Sequence, residues 1–377
     1  MLSRRRMILG LTALTGGTMA YAIGSAHQSN RQYTHAVHDT WRHTSDRALR
    51  DLTAVTRELV RYATLAASSH NTQCWKFAIG TVSPSMLTDQ TISILPDWTR
   101  RCPAVDPDDH HLFVSLGCAT ENLIQAAQAF GKHGVARFDL AIDDRVTVSL
   151  APSKAIDSDL FKAIPHRQCS RVEYNGKTLS NADLATLERA GQGNGVRILL
   201  LTDKAQTENI LEYVVQGNTA QMNDRAFIEE LKSWIRFSYN EVLSHRDGLF
   251  AGSSGNPIVP RWLGMRLLNV FFTANSENDK YAKQIRSSAG IAIFVSERND
   301  KEHWIETGRC YERFALQATA LGIKNAFLNQ PTEVLSLRPQ FASYLGIGNL
   351  RPDLVVRFGY GPETRRSLRR PIESVLL

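Results

Sequence analysis

Gly117-Cys-Ala-Thr-Glu121-Asn-Leu-Ile-Gln-Ala-Ala127-Gln-Ala129-Phe-Gly131 aligns without gaps on Gly308-Arg-Cys-Tyr-Glu312-Arg-Phe-Ala-Leu-Gln-Ala318-Thr-Ala320-Leu-Gly322, sharing Gly, Glu, Ala, Ala and Gly. Apolar residues three and four apart predict a helix in each segment, closed by Gly131 or Gly322. The small residues leave room for two such helices to approach closely. A β-prone run follows each, Ala136 to Ile142 and Ala326 to Leu328. The expected fold is α+β and internally duplicated, a dimer fused into one chain with the two helices packed together. Chance likeness between Ala-rich helices is the alternative.

Outward from the repeat, Asp51 to Ala67 reads as a helix, and Lys76 to Val82 and Thr91 to Leu95 as strands. Asp183 to Ala190 is a helix before a strand at Val196 to Leu201, and Ile291 to Ser296 and Leu354 to Phe358 are strands that close the second half. Thr207 to His245 predicts one or two helices, Gly248 to Pro260 a loop and Trp262 to Phe272 an apolar helix. Nothing in the first half corresponds to this stretch, so 207–272 reads as an insertion and a lid. The expected division is a signal over 1–26, a linker over 27–50, a first half over 51–155 and a second half over 156–377.

The composition of the 377 residues, 43% apolar and 21% charged, excludes a disordered or multi-span membrane chain. Lysine and arginine number 44 against 37 acidic residues, and three of the 44 are Arg4, Arg5 and Arg6 in an N-terminal segment without acids. The remaining 41 against 37 is too mild an excess to indicate nucleic-acid binding. Ser3 to Leu9 followed by an uncharged, Gly- and Thr-rich run to Ala26 resembles a twin-arginine export signal, which implies the export machinery as partner and a periplasmic or other extracytoplasmic location. The run is long enough for a membrane helix, but its Gly and Thr suit a bilayer poorly, so no stable insertion is expected. Folded export makes a cofactor the natural expectation. Five cysteines without a C-x-x-C pair write neither a zinc ribbon nor a dithiol motif.

No dinucleotide fingerprint, P-loop or nucleophile elbow is present. Asp106-Pro-Asp108-Asp109-His110-His111 carries metal-ligating types, but neighbours on a short loop rarely converge, and no metal is expected. The informative segment is Ala67-Ser68-Ser69-His70-Asn71-Thr72-Gln73-Cys74-Trp75-Lys76-Phe77. Six consecutive hydrogen-bonding side chains between a helix and a strand suit a loop that grips a polar ligand. The bland alternative is a helix stop whose Ser and Asn satisfy backbone groups.

That segment resembles the S-S-x-N-x-Q-P-W signature of the nitroreductase superfamily of FMN enzymes. With the leader, Leu95-Pro-Asp97, Ala104-Val-Asp106-Pro, Gln330-Pro331 and Arg369-Arg370-Pro371, the chain is similar to the exported Acg-type branch, from about Asp51 to the C-terminus. Cys74 stands where the family has Pro, and Cys169 where it has Ser or Thr; packing is the expected role of Cys74.

The resemblance implies a nitroreductase-like fold, here a fused pseudo-dimer, with FMN at the interface between halves. Ser68, Ser69, His70, Asn71 and Gln73 would come from one half, and Arg167 and Arg171 of Arg167-Gln-Cys-Ser-Arg171 from the other. Arg167 would fork the phosphate, and Arg171 would stabilise the anionic reduced flavin. Asn329 and Gln330 fall where the family places a backbone N–H beside flavin N5, and Arg369 and Arg370 where it places further phosphate-binding cations. The second half lacks the serine loop, so one FMN per chain is expected. The implied reaction is hydride transfer through N5 from NAD(P)H or another reductant to a small electron-poor acceptor such as a nitroaromatic, a quinone or a specialised metabolite, with no protein acid or base required. The alternative is a non-catalytic flavin-sequestering protein. The chain would act as a monomeric pseudo-dimer or as a homodimer.

Overall fold

The computed structural model describes residues 16–44, 51–81, 90–139 and 143–377. Most of the segment expected to be an export signal, including Arg4 to Arg6, lies outside the described residues. Helix α1 spans Gly16–Thr40 and α2 Leu52–Thr64; strands β1, Trp75–Thr81, and β2, Gln90–Pro96, lead to α3, His110–Ala129, and to β3, Lys132–Asp139, and β4, Arg145–Pro152. A short α4, Asp159–Ala163, precedes α5, Asn181–Ala190, and β5, Val196–Leu201. Then come α6, Lys204–Asn223, α7, Arg225–Trp234, β6, Ile235–Arg236, α8, Tyr239–His245, β7, Leu249–Phe250, α9, Arg261–Phe271, and α10, Ala274–Arg286. The chain closes with β8, Gly290–Ser296, α11, Lys301–Ala320, β9, Lys324–Phe327, α12, Gln330–Glu333, α13, Arg338–Tyr344, and β10, Arg351–Gly359.

Duplication is written in the topology. One four-stranded antiparallel sheet runs β1-β2-β4-β3 and the other β5-β8-β10-β9, so β1, β2, β3 and β4 correspond to β5, β8, β9 and β10. The repeat helices α3 and α11 occupy the same place in each half and pack on one another. Their crossing is built on the two repeat glycines: a Cβ on Gly117 would lie 1.9 Å from the carbonyl oxygen of Ile305, and one on Gly308 1.9 Å from that of Val114. Each contact thus reaches the residue three before the partner glycine, as a pseudo-two-fold axis through the crossing requires. Gly131 and Gly322, at φ +70° and +72°, end the helices as the repeat predicts.

The halves also exchange tails. Beyond β10 the chain returns to the first sheet, where Phe77 N donates to Val375 O at 2.8 Å and Leu377 N to Phe77 O at 2.9 Å. Beyond β4 it crosses to the second, where Ser170 N donates to Asn325 O at 2.9 Å. In β8, Ala292 and Phe294 face the α11 side of the core, whereas Ile291, Ile293 and Val295 meet Ile210, Leu211 and Val214 of α6 and Ile285 of α10.

That packing corrects the lid boundaries. Residues 207–223 belong to α6, which seals the outer face of the second sheet; the part that leaves the duplicated core begins at about α7. Thr207 to His245 folds as three helices rather than one or two, because Asp224 and Ser238 each cap a new start. The linker expected over 27–50 is also corrected: residues 27–40 belong to α1, which buries Tyr33 against Tyr239 and Phe250. All five cysteines are free thiols. Burial pushes the Cys74 thiol up to about 11, which makes it a packing group. Among the described residues no helix is long and apolar enough to cross a membrane.

Candidate functional site

The Ser68–Gln73 loop leaves α2 in a backbone few residues tolerate: His70, Asn71 and Gln73 lie at φ +47°, +54° and +53°. Left-handed conformations in non-glycine residues cost free energy and persist where surrounding contacts fix them. Those contacts are on hand. Ser68 Oγ accepts from Gln73 N at 3.1 Å and Ser115 Oγ from Ser69 N at 3.3 Å. Asn71 Nδ2 donates to Gly248 O at 3.1 Å, and Asn71 Oδ1 accepts from Arg369 Nη1 at 2.9 Å. Gln73 Nε2 donates to Arg246 O at 2.9 Å, while Gln73 Oε1 accepts from Arg370 N at 2.7 Å. The loop therefore joins the first half, the α8–β7 turn of the insertion and the C-terminal tail.

The structure gives the predicted arginines different tasks. Arg167, 3% exposed, ion-pairs through Nε with Glu312 at 2.9 Å and donates from Nη2 to Leu65 O at 2.9 Å. Arg369 commits all five N–H donors, to Thr64, Leu65, Ala66 and Leu368 carbonyls and to Asn71. Both guanidiniums cap the C-terminal end of α2, where a cation complements the helix dipole. Burial, with Arg167 adding to it, pushes Arg369 down to about 9. Arg370 is occupied by Gln73, Ser374 and Asp97. Where a phosphate fork is expected of Arg167 and phosphate-binding cations of Arg369 and Arg370, the structure has these three guanidiniums bonded to protein groups beneath the loop. Among the described residues the Arg171 guanidinium has no hydrogen-bond partner, and its charge adds to burial in lowering His70.

Across the helix pair, the β9–α12 corner is held from two sides. Asn329 Oδ1 accepts from Val355 N at 3.0 Å, which turns its Nδ2 toward His111 Nε2 at 3.4 Å. Gln330 is buried, and among the described residues neither its Oε1 nor His70 Nδ1 has a hydrogen-bond partner. Burial pushes His70 down to about 4 and His111 to about 3, so both imidazoles are neutral near pH 7. His111 Nδ1 lies 3.9 Å from Asp106 Oδ1 and 3.8 Å from Glu333 Oε1, and burial raises these carboxyls to about 6 and about 7.

Ligand atoms of Asp106, His110 and His111 lie within 4.8 Å of one another. The donor set does not suit a cation. The Asn329 amide makes His111 Nε2 an acceptor and leaves the proton on Nδ1, His110 Nε2 bonds Asp353 at 2.9 Å, and both Asp106 oxygens accept backbone N–H groups of α3 at 3.0 Å.

The pseudo-two-fold axis maps this region onto a second cleft of about 410 Å³. In the repeat register Glu302 replaces His111, Glu306 replaces Ser115 and Phe138 replaces Asn329, and Gly191 to Gly195 stands in place of the serine loop. Glu306 there is paired with Arg309 at 2.8 Å and with Arg313 at 3.4 Å.

The reading of the sequence gave Glu312 and Glu333 no part in the site and weighed His111 only as a metal ligand. Glu312 left a signal, being one of five identities in the repeat, and its counterpart Glu121 likewise takes Arg313 at 2.9 Å. Arg365 lines a cavity of about 480 Å³ with Tyr239, Gly252, Gly255, Asn256 and Ile258.

No family model matches the chain. "Putative NAD(P)H nitroreductase Rv3131" and "Putative NAD(P)H nitroreductase MT3217", from two Mycobacterium tuberculosis strains, are each 24% identical over 314 residues, 81% of this chain and 85% of theirs. Among solved structures, the FMN-dependent nitroreductase NfnB of Mycobacterium smegmatis in complex with NADPH is 14% identical and covers 57% of this chain and 96% of its own, with TM-score 0.38. A nitroreductase with bound FMN from Bacteroides fragilis is 16% identical and covers 55% and 90%, with TM-score 0.34. The fold is that of an internally duplicated α+β protein whose halves meet along α3 and α11. Over most of its length the chain is similar to proteins described as nitroreductases.

Proposed function

We propose that the protein is an FMN-dependent oxidoreductase that reduces a small electron-poor acceptor, a nitroaromatic, a quinone or a specialised metabolite, with NAD(P)H or another reductant as donor. The observation that carries this reading is the convergence of His70, Arg171 and the Asn329–Gln330 corner from opposite halves across the α3–α11 pair. The residues present suit the flavin: among the described residues, buried His70 Nδ1 and Gln330 Oε1 lack hydrogen-bond partners, and Arg171 offers an uncommitted guanidinium to a ring edge. When bound, FMN supplies the two-electron chemistry at N5. Ser68, Ser69, His70, Asn71 and Gln73 would hold the ring system, Arg171 would offset the negative charge of the reduced state, and Asn329 and Gln330 would flank N5. Neutral imidazoles at His70 and His111 keep that region from gathering excess positive charge.

The segment 1–26 supports export by the twin-arginine route to the periplasm, and the internal helix pair supports a monomeric pseudo-dimer with one FMN. A second reading, flavin sequestration without turnover, is favoured by the direct bonds from Asn71 Nδ2 to Gly248 O and from Gln73 Nε2 to Arg246 O of the insertion. The test is the visible spectrum of the purified protein with identification of released chromophore, followed by stopped-flow mixing with NADPH and a quinol. About one FMN per chain with rapid bleaching supports the enzyme. Bound FMN that resists every donor supports sequestration, and a colourless protein that takes up no FMN overturns both.

A further inference from the structure

Helix α1 and the residues just after it reach three of the four arginines in the tail that follows β10. Tyr33 stacks on Tyr239 with ring centroids 5.0 Å apart, and the Tyr239 hydroxyl accepts from Arg365 Nε at 3.2 Å. The Tyr33 hydroxyl donates to Arg366 O at 2.7 Å. Trp41 Nε1 donates to Ser367 O at 2.9 Å, and its ring lies 5.1 Å from the Arg366 guanidinium and 4.7 Å from that of Arg369. Tyr33, Val242, Phe250 and Leu368 form a small core of their own that ties α1, α8, β7 and the tail together. Beyond Trp41, His43 bonds Lys162 O at 3.1 Å and Thr44 N donates to the Tyr62 hydroxyl at 3.0 Å, which anchors the end of the segment to the first half.

The physical need for such a brace is plain. Residues 360–371 carry Arg365, Arg366, Arg369 and Arg370 on a backbone without regular secondary structure. Like charges so close repel, and an irregular segment has little stiffness to resist them. Aromatic faces attract guanidinium groups, and hydrogen bonds to Arg366 O and Ser367 O fix the backbone between them. The Arg365 Nη groups have no partner among the described residues, and Arg365 borders the cavity of about 480 Å³. It is the tail arginine best placed to meet an anion.

We propose that residues 27–44 are a strap that holds the tail so that Arg365 is pre-organised for the phosphate of the flavin, with Trp41 and Tyr33 as positioning residues. The proposal rests on the FMN reading above. A tail already held in place loses less conformational freedom when the phosphate arrives, so the strap acts on affinity for the phosphorylated flavin and not on the ring.

Riboflavin, which lacks the phosphate, separates this role from a merely structural one. Dissociation constants for FMN and riboflavin are measured by flavin-fluorescence titration on the full chain and on Trp41→Ala, Trp41→Phe and Tyr33→Phe. Trp41→Ala is expected to weaken FMN about tenfold and riboflavin less than about twofold. Trp41→Phe keeps a ring face and loses the N–H, so it falls between. Tyr33→Phe removes one hydroxyl and is expected to weaken FMN alone, by about two- to threefold. It decides the matter if Trp41→Ala does not fold. Unchanged FMN affinity in Tyr33→Phe and the Trp41 variants overturns the strap, and so does equal weakening of both flavins. A wild-type chain that binds neither flavin overturns the FMN reading and the strap with it.

Discussion

Gly117 and Gly308 face each other's helices so closely that a methyl group on either would sit 1.9 Å from a carbonyl oxygen of the other helix. No side-chain rotation relieves a clash with backbone. Gly117→Ala and Gly308→Ala are each expected to cost about 3 kcal/mol or more through overpacking. Chemical denaturation checks this, and a loss below about 1 kcal/mol would show that the helices can slide apart.

Arg167 and Glu312 form a buried pair between the segment beyond β4 and α11. Arg167→Met leaves Glu312 without its cation and is expected to cost about 3–5 kcal/mol. Adding Glu312→Leu to that variant should recover much of the loss, because the pair then goes as a unit. A double variant no more stable than the single one would contradict that account.

Burial raises the Glu333 carboxyl to about 7, with Asp106 and Glu230 adding to the shift. The folded state therefore binds a proton the unfolded chain releases near its ordinary value of about 4.3, and ionising Glu333 opposes folding as pH rises through 7. Glu333→Gln is expected to stabilise the protein by about 1–3 kcal/mol at pH 8, with the gain fading toward pH 5. Gln221 Nε2 keeps an oxygen acceptor at that position. Urea titrations at the two pH values are the check, and an equal gain at both would place the effect elsewhere.

Arg171→Ala takes away the uncommitted cation beside His70. If that charge offsets the reduced flavin, the two-electron reduction potential is expected to fall by about 30–60 mV, the equivalent of about 1.4–3 kcal/mol. A xanthine oxidase dye titration reads this directly. An unchanged potential would remove Arg171 from the ring edge.

Sequence and structure agree where the information is local or repeated. The helix period, the two end glycines and the strands about β8 and β10 are all visible in short windows, and the polar run Ser68 to Gln73 stands out by composition alone. What escapes is partnership across distance. Arg167 reads as an exposed fork until Glu312, 145 positions away, is beside it. Helix α6 reads as lid because only the folded sheet shows that Ile210 and Val214 cover β8. The segment 27–40 reads as linker because the partners of Tyr33, Tyr239 and Phe250, lie in an insertion with no pattern of its own.

The fused helix pair frees the two clefts from one another. In a symmetric homodimer every substitution falls in both sites at once, and a change that spoils one spoils the other. Here Glu302 and Glu306 occupy one cleft while His111 and Ser115 hold the equivalent places in its twin. Each half can gain or lose a side chain without imposing it on the other, so duplication leaves two inheritances that can diverge.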